Sequence, residues 1–502
     1  MLLRAWRVGF WLLAVLTAGV WRDCWGAAEA RAEARPPNIL WIVIDDLGWR
    51  DLGCYGSDLY ETPHVDRLAR QGMRFTNAYS ACTVCSPSRA ALLTGKYPAR
   101  LRVTDWIPGH ERPNAKLEIP DWTKWLGLEE TTLAELLAPA GYISGHVGKW
   151  HLGPKGYWPT EQGFAVNIAG CDLGQPPSYY WPYTRANRRI PTLDLTPATE
   201  GQYLTDRLAD EAVALIRRWK SQPFFLYLPT YQVHMPLEPK EAYVARYAQR
   251  IRPGMQHTNP RYAAMVQSMD ELVGKVLDAL EEYGLARNTL VFFTSDNGGL
   301  SHLNGVKRGP TDNSPLRLGK GSSYEGGVRV PLIVRWPGVT PPGSVCHEPV
   351  MGIDLFPTVA EVVGTLSASL ASPGEPRAGG PAKKRSGKAP GLSQLQVDGV
   401  SLVPVLRDPK ARLAREALFW HYPHYHPGGA TPYGAVRAGP WKLIEFYEDM
   451  HVELYNLAED IGEQRDLAVQ KAHLAASLRD KLHRWRQGVG AEMPSARPTT
   501  GK

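Results

Sequence analysis

The sequence predicts an α/β fold: a large, mixed but mostly parallel sheet flanked by helices, followed by a small C-terminal antiparallel sheet plus helix. Three observations predict it. Short, continuously apolar runs stand where strands buried on both faces are expected, and segments with a 3.6-residue apolar period lie between them. Beyond residue 410 the pattern changes to short strand-like runs separated by turns.

Asn38 to Ile44 (NILWIVI) is the first and clearest strand, and Tyr142–Val147 is the second. A helix follows over Tyr203–Trp219, where Leu208, Ala212, Leu215, Ile216 and Trp219 share one face. Phe224–Leu228 is the next strand. The helix after it carries Met265, Met269, Leu272, Val273, Val276, Leu277 and Leu280. Leu290–Thr294 and Leu332–Arg335 complete the buried runs. Residues 366–396 are rich in Ala, Ser, Gly, Pro and Lys without periodicity, which predicts a disordered insertion. Gly434–Arg437, Trp441–Phe446 and Val452–Tyr455 read as a small antiparallel sheet, followed by a helix near His473–Arg486. The expected layout is a leader over 1–30, a main domain over 38–410 interrupted by the insertion, and an α+β part over 411–490.

The leader has Arg4 and Arg7 before an apolar stretch, Val8 to Val20, that is short for a bilayer span, then Ala28-Glu29-Ala30 as a cleavage site. It predicts a secreted or periplasmic protein without a stable membrane span; an uncleaved anchor is the competing reading. The net charge is +7, but the leader contributes +1 and residues 366–396 contribute +4, which leaves +2 for the folded body. A cationic stripe for nucleic acid is therefore not expected. Of six cysteines, Cys24 leaves with the leader, so five remain and at least one is unpaired.

Cys85-Ser86-Pro87-Ser88-Arg89-Ala90-Ala91-Leu92-Leu93-Thr94-Gly95 predicts a helix with Ser86 as N-cap, Pro87 in the first turn and Gly95 as its stop. Cys85 then stands at the positive end of the helix with Arg89 one turn on, a geometry suited to a tetrahedral anion. A structural Cys, or a redox pair with Cys82, are the alternatives on spacing alone. Asp45-Asp46 and Asp296-Asn297 each follow a predicted strand, at the edge where open α/β sheets bind ligands. Three carboxylates and an amide oxygen are a hard donor set, suited to Ca²⁺.

The run C-S-P-S-R-A-A-L-L-T-G resembles the signature of the type I sulfatases, members of the alkaline phosphatase superfamily. The resemblance extends over residues 38–465 through G-K-W-H-L-G at Gly148–Gly153, H-M-P at His234–Pro236 and K-G-S-S-Y-E-G-G at Lys320–Gly327. It implies an alkaline-phosphatase-like fold and conversion of Cys85 to formylglycine by a formylglycine-generating enzyme. It further implies a divalent ion, usually calcium, on Asp45, Asp46, Asp296, Asn297 and the modified Cys85. In this resemblance Arg89, Lys149 and Lys320 hold the sulfate, His151 is the base for sulfate elimination, and His234 contacts the sulfate and protonates the leaving oxygen. The hydrated aldehyde explains the modification: one hydroxyl attacks sulfur and the other, once deprotonated, collapses to eject sulfate, which a serine could not do.

One departure stands out: many relatives have a His three residues before His234, where this chain has Tyr231. Two aromatic groups are candidates for reading a sugar, namely Tyr179, Tyr180, Trp181 and Tyr183, and His421, Tyr422, His424, Tyr425 and His426. The resemblance favours a sulfated small molecule or glycan as substrate. A phosphonate or phosphodiester hydrolase of the same superfamily, and an inactive sulfated-glycan-binding protein, are the alternatives.

Overall fold

The computed structural model describes residues 35–497, apart from 111, 113, 195–198, 304–305 and 370–394. The leader therefore lies outside the described residues, as does most of the segment read as an insertion. Residues 366–369 of that segment continue the helix Leu355–Ser369, so the helix runs past the expected boundary. Ala and Ser after an apolar face do not break a helix.

Eight strands form the main sheet: β1 (Asn38–Ile44), β2 (Met73–Phe75), β3 (Ile143–Val147), β4 (Val166–Ile168), β5 (Phe224–Pro229), β6 (Thr289–Ser295), β7 (Leu332–Arg335) and β8 (Ser344–Cys346). Their order across the sheet is β8-β2-β7-β6-β1-β5-β3-β4. All pairings are parallel except the two made by β7. β1 is central, and its alternation explains its unbroken apolarity. Leu40, Ile42 and Ile44 pack on one face with α2 (Leu204–Trp219) and α3 (Pro260–Glu282), while Ile39, Trp41 and Val43 pack on the other with Leu92 and Phe356. The main-sheet strands absent from the sequence reading, β2, β4 and β8, have three residues each, too few to carry a period.

Because β3, β5, β1 and β6 are mutually parallel neighbours, their C-terminal ends share one edge. The segments Gly148–His151, Tyr231–His234, Asp45–Asp46 and Asp296–Asn297 all leave from that edge. The C-terminal sheet is antiparallel in the order β9 (Leu418–Tyr422), β10 (Tyr433–Ala438), β11 (Trp441–Phe446), β12 (Val452–Asn456). One face packs Val436, Leu443 and Leu454 against Leu478 and Leu482 of the helix Ala472–Val489. The other is tied to the main body by buried Lys442, which donates to Glu325 at 3.0 Å and to Glu463 at 2.8 Å.

Candidate active site

At the C-terminal ends of β1 and β6, Asp45, Asp46 and Asp296 bring carboxylate oxygens within 4.8 Å of one another in a fully buried cluster. Asp46 adopts a left-handed conformation (φ 60) that turns it back toward β6, and its N–H donates to Asp296 Oδ1 at 3.2 Å. Asn297 Nδ2 donates to Asp46 Oδ1 at 2.8 Å, which leaves the amide oxygen of Asn297 buried without a hydrogen-bond partner. Asp45 Oδ1 also lacks a hydrogen-bond partner and has only the Arg89 guanidinium, Nη2 at 3.7 Å, nearby. A buried amide oxygen without a hydrogen-bond partner beside three carboxylates fits a bound cation, because such a group otherwise carries the full desolvation cost. Burial, reinforced by Asp296 and Asp46, holds the Asp45 carboxyl well above its ordinary range despite Lys149. For Asp46 burial acts upward too, but Lys320, His234 and Lys149 outweigh it and hold its pKa down.

The helix α1 (Cys85–Thr94) begins two residues earlier than its sequence suggests. Val84 takes the N-cap position and offers no side-chain cap, so the expected Ser86 cap does not form. Ser86 Oγ instead donates to His151 O at 2.9 Å and accepts from Ile107 N–H at 3.1 Å, which ties the helix start to two loops of the site. Gly95 ends the helix as expected, with φ 69 and its N–H on Ala91 O.

Cys85 Sγ lies 3.3 Å from His151 Nδ1. The other ring nitrogen, Nε2, faces Ile107 O, an acceptor only, so it carries the hydrogen and Nδ1 presents its lone pair to Cys85. Burial, with Lys149 and Arg89 nearby, keeps the ring neutral well below the ordinary histidine range. Lys149 and His151 do not lie on an extended segment. Gly148 (φ 125) and His151 (φ 59) make the segment a loop, and a Cβ on Gly148 would lie 1.9 Å from Pro229 O. Gly174 closes against the His151 ring, 2.5 Å from Cε1 for a Cβ there.

Three buried cations interleave with the three carboxylates. Arg89 Nε donates to Asp296 Oδ2 at 2.8 Å and Nη1 to Lys149 O at 2.9 Å, while Nη2 is buried without a hydrogen-bond partner. Lys149 Nζ is 2.7 Å from Asp45 Oδ2, and Lys320 Nζ is 2.7 Å from Asp46 Oδ1. His234 Nε2 stands 3.5 Å from Asp46 Oδ2, and its Nδ1 is 2.8 Å from Met235 O. Burial and Lys320 push His234 down to about 3. All ten sequence-selected positions thus converge, but Cys85 sulfur does not join the carboxylate donor cluster.

The family described as Sulfatase matches residues 37–365, and the N-sulphoglucosamine sulphohydrolase C-terminal family matches 391–488. The chain belongs to the sulfatase family. A Formosa agariphila sulfatase is 34% identical over 522 positions, covering 89% of this chain and 88% of that one. Human arylsulfatase A is 35% identical, covering 84% and 76%. Among solved structures, Ps i-CgsB in complex with k-i-k-neocarrahexaose superposes with a TM-score of 0.70 at 28% identity, over 93% of this chain and 96% of that one.

In this sulfatase a cavity of about 920 Å³ opens over the site, with Cys85, His151, His234 and Lys320 at its floor. Its walls include Trp106, Trp125, His110, Arg188 and His426. Trp106 and Trp125 escaped the sequence reading; the clustering of Trp106, Trp122 and Trp125 soon after the Cys85 motif is the signal that could have found them. The stretch Tyr179–Tyr183 does not reach the cavity. Tyr179 and Tyr183 are buried in the core, and Tyr179 Oη instead anchors the His234 loop at Tyr231 O (2.7 Å) and His234 O (2.8 Å). Tyr231 is core as well, its hydroxyl donating to Ala169 O at 2.9 Å. Of the second aromatic group only His426 lines the cavity, while His421 is held by Tyr447 and Glu492 O. Among the described residues no helix is long and apolar enough to cross a membrane.

Proposed function

We propose that this sulfatase removes sulfate from a carbohydrate sulfate ester, using a formylglycine made from Cys85 and a calcium ion held by Asp45, Asp46, Asp296 and Asn297. The observation that carries the reading is the His151 lone pair aimed at Cys85, inside a buried ring of three cations. When present, the oxidised Cys85 would supply a nucleophilic oxygen and a ligand that the sulfur does not provide, and the ion would supply Lewis acidity toward sulfate.

The chain's own residues account for the rest. Arg89, Lys149 and Lys320 balance the three carboxylates, so a dication leaves the site with net positive charge for a sulfate monoester. Lys149 and Lys320 are point charges with rotatable donors, suited to charge that migrates from sulfate oxygen to leaving oxygen. His151 Nδ1 takes the proton from the Cys85-derived hydroxyl, since Nε2–H is fixed on Ile107 O. His234 has its Nδ1–H on Met235 O, so Nε2 donates to a leaving oxygen only as imidazolium. Asp46 favours that form, while burial and Lys320 oppose it. The sugar preference rests on Trp106 and Trp125 in the cavity wall and on relatives such as the dog N-acetylgalactosamine-6-sulfatase, 37% identical. The leader at residues 1–30 supports an exported enzyme, secreted or periplasmic, matured by a formylglycine-generating enzyme before use.

The test is peptide mass spectrometry across Ala81–Arg89 on protein made with that maturing enzyme. Conversion removes about 18 Da at Cys85, restored when the aldehyde hydrates. Rates on sulfate and phosphonate esters of one alcohol then separate the rival hydrolase. A persistent thiol in an inactive protein would overturn the proposal in favour of a glycan-binding protein.

A further inference from the structure

A second cavity of about 440 Å³ adjoins the catalytic one and shares Pro108, His110 and Lys124 with it as a common wall. Its far side is built by the chain's C-terminal end, where Ser495 and Ala496 pair antiparallel with Glu118 and Leu117 and so place Arg497 at the rim. The wall has an apolar part, Trp122 and Ile119, and Ile119 is 40% exposed. Trp122 is braced edge-on by the His424 ring at 5.5 Å, and the Lys124 ammonium lies 5.5 Å from the Trp122 ring.

The charge on this wall is one-sided. Lys124, Arg112 and Arg497 face a single acid, Asp105, whose Oδ1 is already occupied by Tyr422 Oη at 2.7 Å and by Trp106 N–H at 2.9 Å. At the floor His424 is 1% exposed; its Nε2 meets Thr104 Oγ1 at 2.8 Å, and its Nδ1 stands 3.9 Å from Asp105 Oδ2. The two cavities lie on either side of Pro108, His110 and Lys124.

We propose that the second cavity is a subsite for the neighbouring residue of an oligosaccharide substrate, with that sugar against Trp122 and Ile119 and a second anionic group, sulfate or carboxylate, held by Lys124 and Arg497. The proposal rests on the carbohydrate reading of the catalytic site and narrows it: the substrate is a polyanionic chain, not an isolated sulfated sugar. A second anion gains from partly exposed cations that a neutral neighbour does not use, and the gain is screened by salt.

The test is calorimetric titration of a catalytically silent Cys85→Ala protein with a monosaccharide sulfate, a disaccharide carrying one sulfate and disaccharides carrying a second sulfate or a carboxylate. The second anion should tighten binding about tenfold, the worth of one charge-assisted hydrogen bond. Arg497→Glu should erase that margin, Lys124→Ala should reduce it, and 0.5 M NaCl should shrink it. The sulfate and carboxylate ligands separate the two sources of the charge. Equal affinity for one-anion and two-anion disaccharides, or a margin indifferent to both variants, overturns the subsite while leaving the carbohydrate reading intact. If no saccharide binds while matured enzyme cleaves an aryl sulfate, the carbohydrate reading falls and the subsite falls with it.

Discussion

Glu463→Gln should change how the stability of this enzyme depends on pH. Glu463 and Glu325 are both fully buried and share Lys442, which joins the C-terminal sheet to the loop that carries Lys320. Glu325 has a second cation, Arg329 at 3.1 Å, and the Tyr79 hydroxyl at 2.7 Å, whereas Glu463 has Lys442 and the Glu325 N–H. The pair therefore keeps its proton on Glu463. Burial, with the Glu325 charge adding to it against Lys442, raises Glu463 to about 7 from an ordinary 4.5. Below the ordinary value both folded and unfolded chains hold the proton and the group contributes nothing. Between the two values only the folded chain holds it, so stability falls as pH rises, and above about 7 the loss is complete. At 1.36 kcal/mol per unit, the loss from this group is on the order of 3 kcal/mol. At about 2.1 cal/mol/K per residue, that corresponds to about 3 °C in Tm for a body of this size. Calorimetric scans at pH 5 and pH 8 on wild type and Glu463→Gln check it. The variant should lose about that much less on going to pH 8. Parallel profiles for the two proteins would refute the assignment of the proton to Glu463.

Three further outcomes follow from the site. Gly148→Ala should destabilise the fold by more than about 3 kcal/mol, since the new Cβ meets the Pro229 carbonyl and neither backbone can yield, while Gly141→Ala, with φ 82 but open space, should cost about 1 kcal/mol in the same urea titration. Tyr179→Phe removes the anchor of the His234 loop, and kcat/KM should fall about tenfold with a stability change near 1 kcal/mol; an unchanged rate would show that the loop is held by other contacts. Calcium added to chelator-stripped protein should raise Tm, by about 2.7 kcal/mol of stabilisation at a hundred times its dissociation constant, and Asp296→Asn should abolish most of that rise. A Tm insensitive to chelator and calcium alike would remove the ion from the proposal.

The sequence alone determined the sheet's central strands and the chemistry they deliver. A strand buried on both faces must be largely apolar, so Asn38–Ile44 and Leu290–Thr294 were legible, and the polar residues after them fit loop residues at the ligand-binding edge. Glycines and a proline around Cys85, Lys149 and Lys320 marked backbones that must turn or approach closely. Tertiary structure alone decided which aromatics serve the site. Tyr179 and Trp106 look alike in sequence, yet one hydroxyl is consumed by two carbonyls of the His234 loop while the other ring lines the cavity. It also decided how the helix at Cys85 begins, because Ser86 found partners in the His151 and Ile107 backbones that no local pattern encodes. Local spacing fixes what a residue can offer; burial and long-range hydrogen bonds, set only when distant segments pack, fix what it faces.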